Sequence, residues 1–559
     1  MEIKTKQLYT PEGERVLLGD EPYREYPRPL MRRESFMSLD GEWELEFGDK
    51  IYKIRVPFCP ESVLSGIGKV LDRNPQYTYR KSFSLPEKFN RGRVILHFGA
   101  VDQECECRVN GKSVGGNVGG YNSFEFDITD VLLECENMIE LRVRDNLDNA
   151  ILPYGKQTNK RGGMWYTPVS GIWQSVWLES VPQKFVRKIE ITTTLDSARI
   201  KFDGAEEGTI CFMDGDVEKT VNFTGGVAII KPESINLWTP DEPNLYEFTV
   251  KCGDDQFSSY FALREISSKE IDGIPRICLN GEPIFLNGLL DQGYFPDGIF
   301  TAASDECYKN DILTAKSLGF NTLRKHIKVE PEVFYYYCDK LGMIVVQDMV
   351  NNGKYSFLRD TALPTVGLKS LSDKTLHRNK ESREAFVHSM INTVNQLKNH
   401  PCICMWTIFN EGWGQFCADE MYHVLRKMDS SRIIDTASGW FRPRCSDVVS
   451  EHIYFKKVRI KKNKTRPVFL SEFGGYSHKV EGHIFNLDNN YGYGSAKTAE
   501  EFEKMLSDLY AQQVIPNIEN GLSGAILTQI TDVEDETNGL ITYDRRVVKI
   551  KEPLPEIEI

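Results

Sequence analysis

Cys402-Ile403-Cys404-Met405-Trp406-Thr407-Ile408-Phe409 is an apolar run that stops abruptly at Asn410-Glu411-Gly412. Pro467-Val468-Phe469-Leu470 does the same and ends in Ser471-Glu472-Phe473-Gly474-Gly475. Short apolar runs bounded by polar turns and glycine read as strands buried on both faces, the habit of parallel sheets. Met343–Gln347 and Ala525–Leu527 are further runs of this kind, and helical segments lie between them. One helix is predicted after Ser304 as N-cap, with Asp305 and Glu306 in its first turn and Tyr308, Ile312, Ala315 and Leu318 at helical spacing. Strand–helix alternation sustained over residues 268–559 predicts a (β/α)8 TIM barrel.

Upstream the rhythm is different. Ile139, Leu141 and Val143 alternate with Glu140, Arg142 and Arg144, the two-residue period of a half-buried strand, and Val94, Leu96 and Phe98 alternate with Ile95 and His97. Asn110-Gly111, Gly115-Gly116 and Gly119-Gly120 supply turns between such strands. Residues 1–182 therefore predict a jelly-roll β-sandwich, closed by Pro182. Residues 183–267 have the length of a seven-strand, immunoglobulin-like β-sandwich.

The 559 residues carry a net charge of −13, which argues against tracking a nucleic-acid backbone or docking on an anionic membrane. Met1–Asp20 has no apolar signal region, and no stretch approaches the ~20 apolar residues of a membrane span. The 13 cysteines lack zinc spacing or pairing rhythm and read as reduced core residues. The cytoplasm is the expected compartment. Neither nucleic acid nor membrane is expected as a partner, and a homo-oligomer is compatible with these features.

Chemistry in a barrel sits where strands end, so Glu411 and Glu472 stand at equivalent positions of its mouth. Two carboxylates facing each other there are what glycoside hydrolysis requires: one protonates the leaving oxygen, the other attacks the anomeric carbon. The plainer alternative for each is an ion pair with arginine or a helix cap. Asn410, beside the acid, suits a hydrogen bond to a sugar 2-hydroxyl.

Trp406-Thr-Ile-Phe-Asn410-Glu411-Gly412 and Leu470-Ser471-Glu472-Phe473-Gly474 resemble the acid/base and nucleophile motifs of glycoside hydrolase family 2, which includes β-galactosidases, β-glucuronidases and β-mannosidases. The resemblance extends over nearly the whole chain. Tyr79-Arg80-Lys-Ser-Phe83, Arg108-Val-Asn110-Gly111, Gly119-Gly120-Tyr121, Phe126-Asp127-Ile128-Thr129 and Gly171-Ile172-Trp173 through Glu179 resemble the family's amino-terminal domain. Leu237-Trp238-Thr-Pro240 through Tyr246 resembles its middle domain.

The resemblance implies Glu411 as general acid/base and Glu472 as nucleophile. It implies Arg324 and His326 beneath the substrate, Arg324 keeping the nucleophile ionised, and Tyr454, in Glu451-His452-Ile453-Tyr454, hydrogen-bonded to the nucleophile. Trp406 fits a floor residue, against the alternative of a core tryptophan. Asp291, Gln292 and Asp348 follow earlier strand ends and are expected to read sugar hydroxyls. Trp440 is a candidate stacking platform. No cofactor is implied, and no metal-ligand spacing is present.

Two departures bear on the sugar. Around Thr528-Gln529-Ile-Thr531-Asp532-Val-Glu534-Asp535-Glu536-Thr-Asn538-Gly539 the family's aromatic-rich segment is replaced, and the Asn-x-Lys grip of family glucuronidases is not apparent. Gly163-Met164-Trp165 stands where large β-galactosidases place a sugar-contacting aspartate. Such an acidic run ordinarily reads as a solvated loop. The expectation is a retaining exo-β-glycosidase acting by double displacement on a carbohydrate or glycoside, β-galactosides first and β-glucuronides second, with carboxyl groups ~5–5.5 Å apart. A catalytically dead carbohydrate-binding protein is the non-enzyme alternative; it would lack one of the two glutamates, and both are present.

Overall fold

The computed structural model describes residues 5–363, 373–555 and 557, apart from positions 24, 72–75, 148, 440–442, 455 and 489–490. In strand Glu136–Arg144, Asn137, Ile139, Leu141 and Val143 are buried while the residues between them are not. The strand lies in a six-stranded antiparallel sheet with Tyr77–Ser84 and Glu104–Val109 as neighbours. A four-stranded sheet, Phe36–Ser38, Val176–Val181, Arg93–Phe98 and Phe124–Asp127, closes over it. Val94, Leu96 and Phe98 from one sheet and Trp43, Leu45 and Ile139 from the other share one core. The outer face of Arg93–Phe98 is covered as well. His97 stacks on Trp177 with centroids 4.9 Å apart, and Glu179 beside it accepts from Arg28 at 2.7 Å and Arg33 at 3.2 Å.

The middle region is one antiparallel ladder of seven strands from Lys188–Thr193 to Asp255–Phe261. Ile189 and Phe202 from its first strands meet Phe248 and Phe257 from its last in a single core, so the ladder closes on itself as a sandwich. Trp238 donates to Asp339 O at 2.8 Å, and Arg264 to Pro401 O and Ile403 O at 2.9 and 2.8 Å, anchoring this region to the barrel.

Eight parallel strands form the barrel: β1 Leu286–Asp291, β2 Thr322–Lys325, β3 Ile344–Asp348, β4 Ile403–Asn410, β5 Ile433–Ser438, β6 Val449–Ile453, β7 Val468–Gly474 and β8 Leu522–Thr528. Their ladder runs β5-β4-β3-β2-β1-β8-β7-β6. The remaining seam, β5 to β6, is bridged by side chains: Ser438 Oγ to His452 Nε2 and Ser450 Oγ to Asp435, both 2.8 Å. The helix predicted after Ser304 spans Asp305–Ser317. Ser304 makes no capping bond; Asp305 instead accepts from the backbone N of Glu25 at 3.0 Å, tying down the amino-terminal arm.

The first sandwich reaches across the barrel mouth through residues 154–167. Tyr154 N and Gly155 N donate to Asn351 O, just beyond β3, at 3.1 and 3.2 Å. The acidic segment after β8 is the other half of this contact, and the solvated-loop expectation is corrected. Asp532, Glu534, Asp535 and Glu536 are all buried. Glu534 accepts from Thr167 N at 2.8 Å, Arg161 bridges Glu534 and Asp535, and Tyr166 OH donates to Glu536 at 3.1 Å. Asp532 is held by Lys549 at 2.6 Å. Acids gathered in sequence are thus dispersed onto separate partners, most of them from a distant domain. Among the described residues no helix is long and apolar enough to cross a membrane.

Candidate active site

Glu472 lies on β7 where the register slips between Leu470 and Phe473. The slip lets Ser471 and Glu472, consecutive in sequence, both face the interior: Ser471 Oγ meets Ser438 and Ser450, and Glu472 meets Arg324 and Tyr454. Glu411 follows β4 with φ at 54°, a left-handed conformation rare outside glycine, and Gly412 continues at 73°. That turn leaves the carboxylate at the barrel mouth, where its side chain is 21% exposed against 6% for Glu472.

Arg324 on β2 holds the floor together. All five of its N–H groups have acceptors: Nε and Nη2 on Asp348 at 3.0 Å each, Nη1 on Glu472 Oε1 at 3.0 Å and Ser471 O at 2.9 Å, and Nη2 also on Asn410 Oδ1 at 2.9 Å. Burial disfavours its charge, but Asp348 and Glu472 outweigh that and raise its pKa. His326 Nδ1 sits 2.8 Å from Asp348 Oδ2, and burial lowers its pKa, so the neutral ring donates there.

Burial alone would raise the Glu472 pKa. His452, Arg324, His326 and the phenol of Tyr454 oppose it and bring the carboxyl down to about 2. Tyr454 donates to Glu472 Oε2, lies 3.0 Å from Thr528 Oγ1, and stacks on Tyr493 with centroids 3.9 Å apart.

One oxygen each of Glu411 and Glu472 and one ring nitrogen of His452 lie within 4.8 Å of one another. His452 Nδ1 is 2.9 Å from Glu411 Oε1 and 3.5 Å from Glu472 Oε2. Three such groups could in principle face a cation. Both oxygens of Glu472 already accept from Arg324 and Tyr454, however, and a guanidinium 3.0 Å away repels a dication, so the set fits proton transfer rather than metal holding.

The structure thus brings together Glu411, Glu472, Asn410, Arg324, His326, Tyr454 and Asp348. Asp348 is fully engaged beneath Glu472 by Arg324 and His326, not by an open pocket. Three residues named from sequence stand elsewhere. Trp406 points out of the barrel, its Nε1 donating to Asp429 at 2.9 Å, and is not a floor residue. Asp291 accepts from Lys325 at 2.6 Å and Gly293 N at 2.8 Å, in a buried network that continues from Lys325 to Glu330 and lies against Phe334 of helix Glu332–Leu341. Gln292 is buried, with Oε1 lacking a hydrogen-bond partner, and among the described residues no hydrogen bond ties it to the glutamates. Trp440 lies outside the described residues.

Sequence reading passed over four contributors. His452 precedes Tyr454 by two, so the strand period alone would have put both on the inner face. Tyr493 and Glu536 carry no local signal. Glu536 is pushed up to about 7 by burial, against Lys156, Tyr166 and Asn538, with Glu472 raising it further. Lys156 comes from the first sandwich; its Nζ lies 6.0 Å from the Trp165 ring and has no hydrogen bond or ion pair among the described residues. Gly155 beside it, at φ 64°, comes so near Ile327 O that a Cβ there would stand 3.1 Å from it.

A sandwich domain, a (β/α)8 barrel and two glutamates at its mouth define a barrel glycosidase architecture. Residues 273–540 match the family described as glycosyl hydrolases family 2, TIM barrel domain, and residues 30–182 match its sugar binding domain. The chain belongs to glycoside hydrolase family 2. It is 27% identical over 382 residues to a β-galactosidase of Thermoanaerobacter pseudethanolicus, covering 63% of this chain and 47% of that one. It is 25% identical over 464 residues to a putative β-glucuronidase of Formosa agariphila, covering 73% and 52%. The chain spans about half the length of these curated relatives. Among solved structures, a β-D-glucuronidase from Dictyoglomus thermophilum superposes with a TM-score of 0.74 at 18% identity, covering 93% of this chain and 96% of that one. A β-glucuronidase from an uncultured Clostridium gives 0.72 at 18%, covering 94% and 97%. At that identity the likeness is one of fold.

Proposed function

We propose that the protein is a retaining exo-β-glycosidase with Glu472 as nucleophile and Glu411 as general acid/base. The observation that carries this is the approach of the two carboxylates to within 4.8 Å at the barrel mouth. Retaining pairs stand ~5–5.5 Å apart, whereas inverting pairs leave ~6.5–9.5 Å for a water. Glu472, held ionised, attacks the anomeric carbon as Glu411 protonates the departing oxygen, and water deprotonated by Glu411 then releases the sugar. Asn410 has its Oδ1 committed to Arg324, so its amide N–H groups are the ones left to donate to a sugar hydroxyl.

The names of the relatives favour β-galactosides as substrates. A second reading, β-glucuronides, is favoured by Lys156, a nearly buried ammonium that acts on Glu536 through charge but makes no ion pair or hydrogen bond among the described residues. Two measurements test the proposal. A 2-deoxy-2-fluoro glycoside should label Glu472; recovery of the label on another carboxylate overturns the assignment. Paired kcat/KM values for aryl β-galactoside and β-glucuronide at pH 6–7 choose the sugar, and a Lys156→Met variant that loses only the glucuronide reaction would confirm the second reading.

A further inference from the structure

His452 is fully buried and touches both glutamates, yet the double-displacement scheme gives it no task. Space is made for it by Gly439, whose φ is 85° and where a Cβ would come within 2.6 Å of the imidazole. Behind the ring runs a chain of hydroxyls. His452 Nε2 lies 2.8 Å from Ser438 Oγ, Ser438 donates to Ser471 at 2.9 Å, Ser471 lies 2.6 Å from Ser450, and Ser450 donates to Asp435 at 2.8 Å.

The direction of this chain fixes the tautomer. Each serine has one proton to give, and both ends of the chain are directed: Ser438 Oγ donates to Ser471, and Ser450 Oγ donates to Asp435, whose carboxyl burial pushes up to about 6. Ser450 therefore gives its proton to Asp435 and Ser438 gives to Ser471, while the Ser471 hydroxyl lies between Ser450 and Glu451 O, 3.3 Å away. Ser438 must then accept from the ring, so Nε2 carries hydrogen. Nδ1 and Glu411 Oε1, 2.9 Å apart, are left with one hydrogen between them: either a neutral ring facing a carboxylic acid or an imidazolium facing a carboxylate.

We propose that Glu411 and His452 hold a single shared proton and form one acid/base unit, with His452 as its positioning residue. The proposal rests on Glu411 having the role given above. In the glycosylation step that proton passes from Glu411 to the glycosidic oxygen as the C1–O bond breaks and Glu472 bonds to C1. In the second step water gives a proton back to Glu411 as its oxygen bonds to C1 and the C1–Glu472 bond breaks, so His452 ends the cycle unchanged.

The groups around the ring set where that hydrogen sits: Glu411 after β4, Asp435 on β5 through the serines, Glu472 on β7, Arg324 on β2 beyond Glu472, Glu451 on β6 and Tyr454 just after it.

The test is a pH profile of the full-length protein. In His452→Gln the alkaline limb of kcat/KM should move down by about one pH unit or more. Ser438→Ala, which removes the acceptor for Nε2–H, should move it in the same direction by less, and serves alone if the glutamine variant fails to fold. A uniform loss with the limb unmoved overturns the proposal. Nitrogen NMR of 15N-histidine protein gives a readout independent of turnover: hydrogen on His452 Nε2 at neutral pH is expected, and hydrogen on Nδ1 with a bare Nε2 overturns it. A parent without glycosidase activity would instead sink the functional reading and leave the NMR result to stand on its own.

Discussion

Arg324 and Lys325 are neighbours on β2, and each sits at the centre of a buried ionic network, on opposite faces of the same strand. Arg324 faces inward to Asp348, Glu472 and Asn410; Lys325 faces outward to Asp291 and Glu330, with Lys328 joining at 2.9 Å from Glu330. The charges and distances are alike. What differs is what lies above them. In the outer set, packed against helix Glu332–Leu341, every charge is answered by another charge or a backbone group. The inner set ends at an opening beside Glu411, and its terminal carboxylate is kept anionic but reachable. The difference between the two sets lies in what stands beside the terminal carboxylate and in the shape of the donor, not in the amount of buried charge. Arg324 can direct five fixed N–H groups at once, which an ammonium cannot.

The comparison can be broken from the inner side first. Glu472→Gln should lower kcat by on the order of 10⁴-fold or more while the protein folds normally, since the amide keeps the shape and loses the attacking charge. Measurable turnover near the parental rate would place the nucleophile elsewhere. On the outer side the pattern should invert. Asp291→Asn leaves buried Lys325 short of a counter-charge and should cost ~3–5 kcal/mol of stability, seen as a lower unfolding midpoint in urea. Its kcat at low temperature should remain within about threefold of the parent. A large fall in kcat with unchanged stability would show that Asp291 belongs to the active site after all.

Acid sharpens the same contrast. The Glu472 pKa is depressed in the folded protein to about 2, so its ionisation contributes stability that is present above the unfolded carboxylate value and is lost as pH falls through about 2. On acidification from pH 5 to pH 2, the parent should therefore lose more stability than Glu472→Gln. Calorimetric midpoints at a series of pH values check this, and parallel curves for the two proteins would contradict it. The smallest effect is expected from Trp406→Phe. The lost bond to Asp429 should cost about 1 kcal/mol, and kcat/KM should stay within about twofold because the ring faces away from the mouth.

Trp406 also shows where sequence reading fails. Asn410 faces Arg324, and a strict two-residue period would put Trp406, four residues earlier, on the same inner face. The strand loses phase in between: Phe409 stacks outward on Phe386 at 4.9 Å, three residues after Trp406 and on the same side. Ser471 and Glu472 share one face through a comparable slip. Such irregularities bring side chains to the mouth of a barrel, and apolar composition does not register them. The barrel, the two sandwiches and the positions of Glu411 and Glu472 at strand ends were legible because they depend on periodicity and on where apolar runs stop. Lys156, Tyr166 and the true surroundings of Asp532–Glu536 were not, because their partners lie hundreds of residues away and no local pattern encodes that pairing. His452 was legible and was passed over.

The clamp between residues 154–167 and the segment after β8 limits how this protein can be cut and recombined. Glu534 and Glu536 rely on Thr167 and Tyr166, and Asp535 on Arg161 together with Asn486, which donates at 2.6 Å. A barrel expressed by itself would leave much of this acidic segment stripped of its partners at the rim of its own catalytic mouth. A chimaera carrying another family member's first sandwich would meet the same acids with the wrong loop. The heritable unit of this active site is therefore the pair of segments, 154–167 with 531–539, and a functional exchange of domains has to carry both.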